Sequence, residues 1–169
     1  MITSKAYNMK NLFVLLVIVV FTMICCTPPE KPLTSEEKSG IESEISGLID
    51  TMIQELTNLD LDQFFSHYSN SDDFSLIMDA QIMIGGDTIN SIKEQFQAYL
   101  KKYISFENAE RHIFVLDRDI VLFIAPYSET AISQTDDTLN FKGTESSLFQ
   151  KKDGTWKIIN STLTHLPPQ

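Results

Sequence analysis

The sequence predicts an α+β domain in which helices cover one face of an antiparallel sheet. Three observations carry this. Apolar residues recur at three- and four-residue spacing from Ile41 to Leu56 and again from Ile89 onward, the period of helices with one buried face. Beyond Ser105 the period falls to two, and β-branched and aromatic residues become dense, as in strands. Lys151-Lys152-Asp153-Gly154 then places Asp-Gly between two such runs, which is hairpin chemistry. Meandering strands have little stability alone, so the helices must close on them.

The elements follow in order. Thr34-Ser35-Glu36-Glu37 reads as a capping box, with Thr34 as N-cap and Glu37 three positions on. It opens a helix of about 22 residues whose buried stripe is Ile41, Ile45, Leu48, Ile49, Met52 and Leu56. A short helix follows Asp60, with Leu61, Phe64, Phe65 and Tyr68 on one side, and Asn70 to Asp73 end it. Phe74–Met78 and Gln81–Ile84 form a small hairpin around Asp79-Ala80, stopped by Gly85-Gly86. Asp87 or Thr88 caps a third helix with Ile89, Ile92, Phe96, Tyr99 and Tyr103 as its stripe. Strands are expected near 106–116, 119–132, 138–150 and 155–164.

The amino terminus is different material. Of 169 residues 43% are apolar, and the first 25 positions are far richer in them than the remainder. Leu12 to Ile24 is apolar except for Thr22, follows Lys5 and Lys10, and precedes any acid. Such a run is short of the ~20 residues that span a bilayer and suits the central region of an export signal. Met9-Lys10-Asn11 is itself a normal signal start, so either Met1 or Met9 serves as initiator. The run ends at Cys25-Cys26, the only two cysteines. Adjacent cysteines make only a strained disulfide, and two sulfurs make no zinc site. Met23-Ile24-Cys25-Cys26 instead resembles a bacterial lipoprotein signal, which implies cleavage and acylation (palmitate among the chains) at Cys26. Cys25 is the other choice, and Ile24 fits the cleavage position less well. The expected organisation is a signal peptide over 1–25, a Pro-rich tether over 26–34 and the domain over 35–166. The resemblance implies a lipid-anchored protein of the bacterial cell envelope, facing the periplasm or the exterior.

Charge narrows the partners. With 23 acids against 13 bases the net charge is −10, unsuited to phosphate backbones, so nucleic acid is excluded. No Gly-rich dinucleotide loop, P-loop, nucleophile elbow or zinc-protease motif occurs. His67, His112 and His165 have no ligand spacing, so neither a metal nor a cofactor is expected.

Phe149-Gln150-Lys151-Lys152-Asp153-Gly154-Thr155-Trp156-Lys157-Ile158-Ile159, with His165 beyond, resembles the final hairpin of SnoaL-like domains in the nuclear transport factor 2-like superfamily. His112 to Val121 is similar to the strand-turn-strand of that family, without its usual turn glycine. The element order agrees over about 36–166. The resemblance implies a cystatin-like cone: a curved antiparallel sheet wrapped around about three helices, with a pocket in one end.

Some members of that superfamily are enzymes that use carboxylates, tyrosines or histidines inside an apolar cone, where burial moves pKa values toward neutrality. Alternate positions put Glu110, His112 and Phe114 on one strand face, Phe123, Tyr127 and Glu129 on the next, and Phe141, Glu145 and Phe149 on the third. If the three faces coincide, His112, Tyr127 and Glu145 are polar groups in an apolar pocket, with Trp156 as its wall and Tyr68 and Asp79 as further lining. No residue matches a catalytic motif. The expected function is therefore binding of a small, partly apolar ligand without catalysis. An isomerase, cyclase or dehydratase using the same residues is the alternative, and a homodimeric assembly module is the third reading.

Overall fold

The computed structural model describes residues 31–166. The export signal, Cys25 and Cys26 lie outside them. No helix among the described residues is long and apolar enough to cross a membrane.

Helix α1, Ser35–Thr57, starts at the expected box. The Glu37 amide donates to Thr34 Oγ1 at 3.2 Å, and the Thr34 amide donates to Glu37 Oε2 at 2.7 Å. Two donors that the first helical turn leaves open are thereby satisfied. Ile45, Ile49, Met52 and Leu56 are its buried stripe. The chain turns through Leu59 at φ 58°, and Asp60 caps the short helix α2, Leu61–Ser66. Strands β1, Ser75–Met78, and β2, Gln81–Ile84, pair around Asp79 and Ala80, both at positive φ, as a two-residue hairpin requires. Helix α3 runs Asp87–Tyr99. Its N-cap is Gly86, and neither Asp87 nor Thr88 takes that role. A Cβ at Gly86 would lie 2.1 Å from the Asn70 carbonyl oxygen, so close backbone approach selects glycine there.

The remaining strands are β3, Leu100–Asn108; β4, His112–Asp117; β5, Ile120–Ser133; β6, Thr138–Lys152; and β7, Thr155–His165. They form one seven-stranded sheet in the order β2-β1-β7-β6-β5-β3, with β4 also on β5. β1 joins β7 in parallel, and the other pairs are antiparallel. The sheet is curved and unclosed, and it wraps the helices as a cone. α1, α2 and α3 bury Ile45, Leu61, Phe65 and Ile92 against Val121, Phe123, Phe149, Trp156 and Ile158.

Two further sequence expectations are corrected. Tyr103 is not on α3, which ends at Tyr99, but on β3. The single strand expected near 106–116 is two strands broken at 109–111, both paired with β5. Pro126 explains the break. Its carbonyl accepts from the Ala109 amide at 3.3 Å, so its ring nitrogen faces the same edge and has no hydrogen to donate.

Candidate functional site

Strand parity decides which side chains enter the cone. β5 turns its odd residues inward without interruption: Val121, Phe123, Ala125, Tyr127, Glu129, Ala131 and Ser133. On β6, Phe141 lies opposite Glu129, Gly143 opposite Tyr127, and Glu145 opposite Ala125. On β3, Asn108 stands opposite Tyr127, Phe106 opposite Glu129, and Tyr103 opposite Ala131. A register shift between Tyr103 and Ser105 lets Tyr103 and Phe106 share one face despite opposite parity. A second shift, between Leu148 and Phe149 on the β6–β7 ladder, places His165 opposite Gly143.

These residues form a cluster at the end of the cone away from the β6–β7 hairpin. Tyr127 is 4% exposed, and its ring stacks on Phe106 at 5.7 Å with 6° between planes. His165 meets the Tyr127 ring edge-on at 6.1 Å and lies tilted against Phe141 at 5.3 Å. Gly143 makes room, since a Cβ there would stand 2.9 Å from the Tyr127 ring and 1.9 Å from the Thr164 carbonyl oxygen. The Tyr127 hydroxyl is buried with no hydrogen-bond partner. Asn108 donates from Nδ2 to Glu145 Oε1 at 2.6 Å, while its Oδ1 is buried and unpartnered. Asp79, on the β1–β2 turn, accepts from the His165 amide at 2.8 Å and holds the imidazole Nδ1 at 2.6 Å.

Burial dominates the electrostatics. Desolvation pushes the Glu145 carboxyl up to about 7, with Glu129 adding to the shift and the Asn108 bond and Arg111 opposing it. Desolvation also raises Glu129, against His165 and a bond from Tyr103. The His165 amide, then its ring, hold Asp79 below the usual carboxylate range. Tyr68, Tyr103 and Tyr127 are all pushed up, first by burial and then by the neighbouring carboxylates. At neutral pH the cluster thus offers neutral phenols beside a carboxyl that burial has moved toward neutrality.

Of the residues expected in a pocket, Tyr127 and Glu145 lie in this cluster, Tyr68 approaches from the end of α2, and Asp79 lies at its rim. His112 does not join them. β4 pairs His112 with Ile124 and Phe114 with Leu122, the even residues of β5, so two of the three faces coincide and the third points outward. His112 instead lies in an open groove of about 570 Å³ between α1 and β4, lined also by Ser39, Glu42, Ser43, Ser46 and Arg111. Trp156 is 5% exposed at the opposite end, paired with Lys151, whose Nζ sits 5.2 Å over its ring. Lys151 and Glu145 are six residues apart on β6, about 20 Å. Trp156 is therefore core at the hairpin end and no wall of this cluster.

Tyr103, Phe106, Asn108, Glu129 and His165 are not among the pocket candidates the sequence offers, although it places Glu129 on the Tyr127 face. Glu129 was readable by parity with Tyr127, whereas the β3 residues depend on a register shift. Among the described residues no group of three or more His, Cys, Asp or Glu is arranged to hold a metal ion.

A family model described as SnoaL-like domain matches residues 45–164. No curated protein matches the chain. Among solved structures it is similar to a nuclear transport factor 2-like superfamily protein from Salmonella enterica serovar Typhimurium, with TM-score 0.68 and 17% identity over 78% of this chain and 95% of that one. A provisionally named scytalone dehydratase from Novosphingobium aromaticivorans gives TM-score 0.71 and 12% identity over 79% and 89%. A type 2 hexachlorocyclohexane dehydrochlorinase gives 0.64 and 11% over 80% and 95%. At these identities the likeness is one of fold.

Proposed function

The chain belongs to the SnoaL-like domain family, and from that premise we propose that it is an envelope-anchored lipoprotein whose domain binds a small, partly apolar molecule, without transforming it, in the cluster around Tyr127. One observation carries the binding reading. The Tyr127 hydroxyl and Asn108 Oδ1 are both buried without partners. An unsatisfied buried polar group costs about 1–3 kcal/mol, so a ligand that engages both atoms recovers that cost on binding. The stacked Phe106 and Tyr127 rings supply an apolar surface beside them. Native mass spectrometry of protein purified from its own membranes tests this. A retained small molecule, lost on Tyr127→Trp, is expected; an empty protein that also takes up no added aromatic probe would sink the reading.

The anchor belongs to the same proposal. Acyl chains on Cys26 hold the protein, and removal of residues 1–25 leaves 23 acids against 11 bases. That charge is repelled by anionic lipid, so the domain stands off the bilayer on its tether. The mass of the mature N-terminus decides it: an unmodified end beyond Cys26 rejects the anchor.

A specific observation favours a second reading. Glu145 titrates near neutrality and is oriented by Asn108, as a general base would be, with a phenol nearby to donate to a developing oxyanion. On that reading the domain is an isomerase, cyclase or dehydratase. Glu145→Gln would then keep the retained molecule but abolish its conversion, or its deuterium exchange in heavy water. The assembly reading rests on Ile104, Phe114 and Leu116, exposed on β3 and β4, and the same native spectrum reports a homodimer.

A further inference from the structure

The charges around the cluster do not balance. Arg111 donates to Asp50 at 2.7 Å, and the His165 ring is held by Asp79, so each neighbouring basic side chain already has an acid of its own. Glu129 and Glu145 form no ion pair among the described residues. Both point into the cone on either side of Tyr127. Glu129 is two residues along the same strand face, and Glu145 is the diagonal neighbour of Tyr127 on β6, a separation of about 7–8 Å. Aromatic rings surround them: Phe106 and Phe141 each directly opposite Glu129, Tyr127 between the acids, and Tyr103 further along β3. Ring faces carry negative electrostatic potential. An anion entering here would meet two carboxylates without countercharge and several ring faces, with the unpartnered Tyr127 hydroxyl among them.

Building on the binding reading above, we propose that the ligand of this cluster carries a positively charged nitrogen, a protonated amine or quaternary ammonium, on an apolar body. Carboxylates with no countercharge, ring faces and a buried phenol oxygen are the combination that recognises organic cations. The groups facing Glu145 are Asn108 from β3, Arg111 from the loop after it, Tyr127 and Glu129 from β5, and Tyr68 from the end of α2. Of these Arg111 alone is cationic, and it is engaged by Asp50; His165, diagonal to Glu145 on the adjacent β7, is engaged by Asp79. Without ligand Glu145 keeps its proton up to about pH 7. A bound cation favours the ionised form, so binding releases that proton and strengthens as pH rises.

The test uses benzylammonium, benzyl alcohol and benzoate, three probes of one shape and three charges, titrated by NMR into the protein purified from its membranes. Benzylammonium is expected to bind at least tenfold tighter than benzyl alcohol at pH 8, and benzoate weakest. Its affinity should rise about tenfold from pH 6 to pH 8, the linkage of one proton released by a group titrating near 7. Glu145→Gln should flatten that profile, while Glu129→Gln weakens binding and keeps it. Should either variant fail to fold, the wild-type pH profile decides alone. Equal or tighter binding of benzyl alcohol overturns the charge assignment and leaves small-molecule binding standing. Preference for benzoate, or a pH-independent affinity for benzylammonium, overturns it too. Failure of all three probes, with no retained molecule in the native spectrum, removes the binding reading with it.

Discussion

The two ends of the cone are built from the same strands and carry opposite side-chain chemistry. At the hairpin end β5, β6 and β7 turn Val121, Phe149, Trp156 and Ile158 inward, and α1 reaches across with Glu44 bonded to Lys151 at 3.0 Å. At the other end the same three strands turn Tyr127, Glu129, Glu145 and His165 inward among aromatic rings. Buried polar atoms without partners occur at both ends, Trp156 Nε1 at the hairpin and the Tyr127 hydroxyl and Asn108 Oδ1 here, but only this end buries carboxylates. The β5–β6 ladder runs unbroken through both ends, so backbone hydrogen bonding does not distinguish them. Side-chain chemistry does. One end contributes stability, and the other holds groups that a closed core would not tolerate.

The largest separation of the two ends is expected from Phe149→Ala. Phe149 is 1% exposed and packed in the core. Its truncation should cost about 3–5 kcal/mol by urea unfolding. It should leave the titration of Glu145 where it is, since the two residues lie about 13 Å apart along β6. A change in the Glu145 titration, followed by carboxyl NMR, would mean that the ends are coupled.

Next in size is Glu145→Gln, with a sign opposite to the usual carboxylate. Because folding raises this pKa, the native state binds the extra proton, and the group opposes folding progressively as pH rises from its unfolded value through about 7. Between pH 5 and pH 8 wild type should lose stability relative to Glu145→Gln by on the order of 2 kcal/mol. The variant is thus more stable at pH 8 and little different at pH 5. A hairpin-end residue has no such behaviour, so equal pH dependence of the two proteins would erase the contrast.

How much of this was legible in the sequence follows the same division. The capping box at Thr34, the Asp-Gly hairpin and the stripe Ile45, Ile49, Met52 and Leu56 are local signals, and each stands where the pattern put it. The polar end depends on register, which is not local. Parity alone aligned Tyr127 with Glu145 because β5 and β6 pair without a shift. It misplaced His112, because nothing in the sequence told which face of β4 meets the odd face of β5. It overlooked Asn108 and Tyr103, which enter the cone only after a register shift on β3. Pro126 was the one readable clue that the edge strand would break, through the hydrogen it lacks.

Tyr127→Phe should have an effect of about 1 kcal/mol, and in the direction of greater stability when no ligand is bound. The ring stack on Phe106 is kept, and a buried hydroxyl without a partner is removed. Loss of stability on this change would show that the hydroxyl is satisfied in solution, and the polar end would then resemble the apolar one.

The smallest expected effect tests the parity on which the comparison rests. His112→Ala should change stability by less than about 0.5 kcal/mol, because the side chain is half exposed on the outer face of β4, 3.7 Å from the exposed Glu110. It should also leave the Glu145 titration unmoved. If instead β4 were shifted by one residue on β5, His112 would enter the cone and Ile113 would leave it. A cationic imidazole there would pull the Glu145 pKa down, and alanine would release it upward. A rise in the Glu145 titration on His112→Ala would therefore reverse the face assigned to β4. An unchanged titration fixes His112 outside the cluster, in the α1–β4 groove.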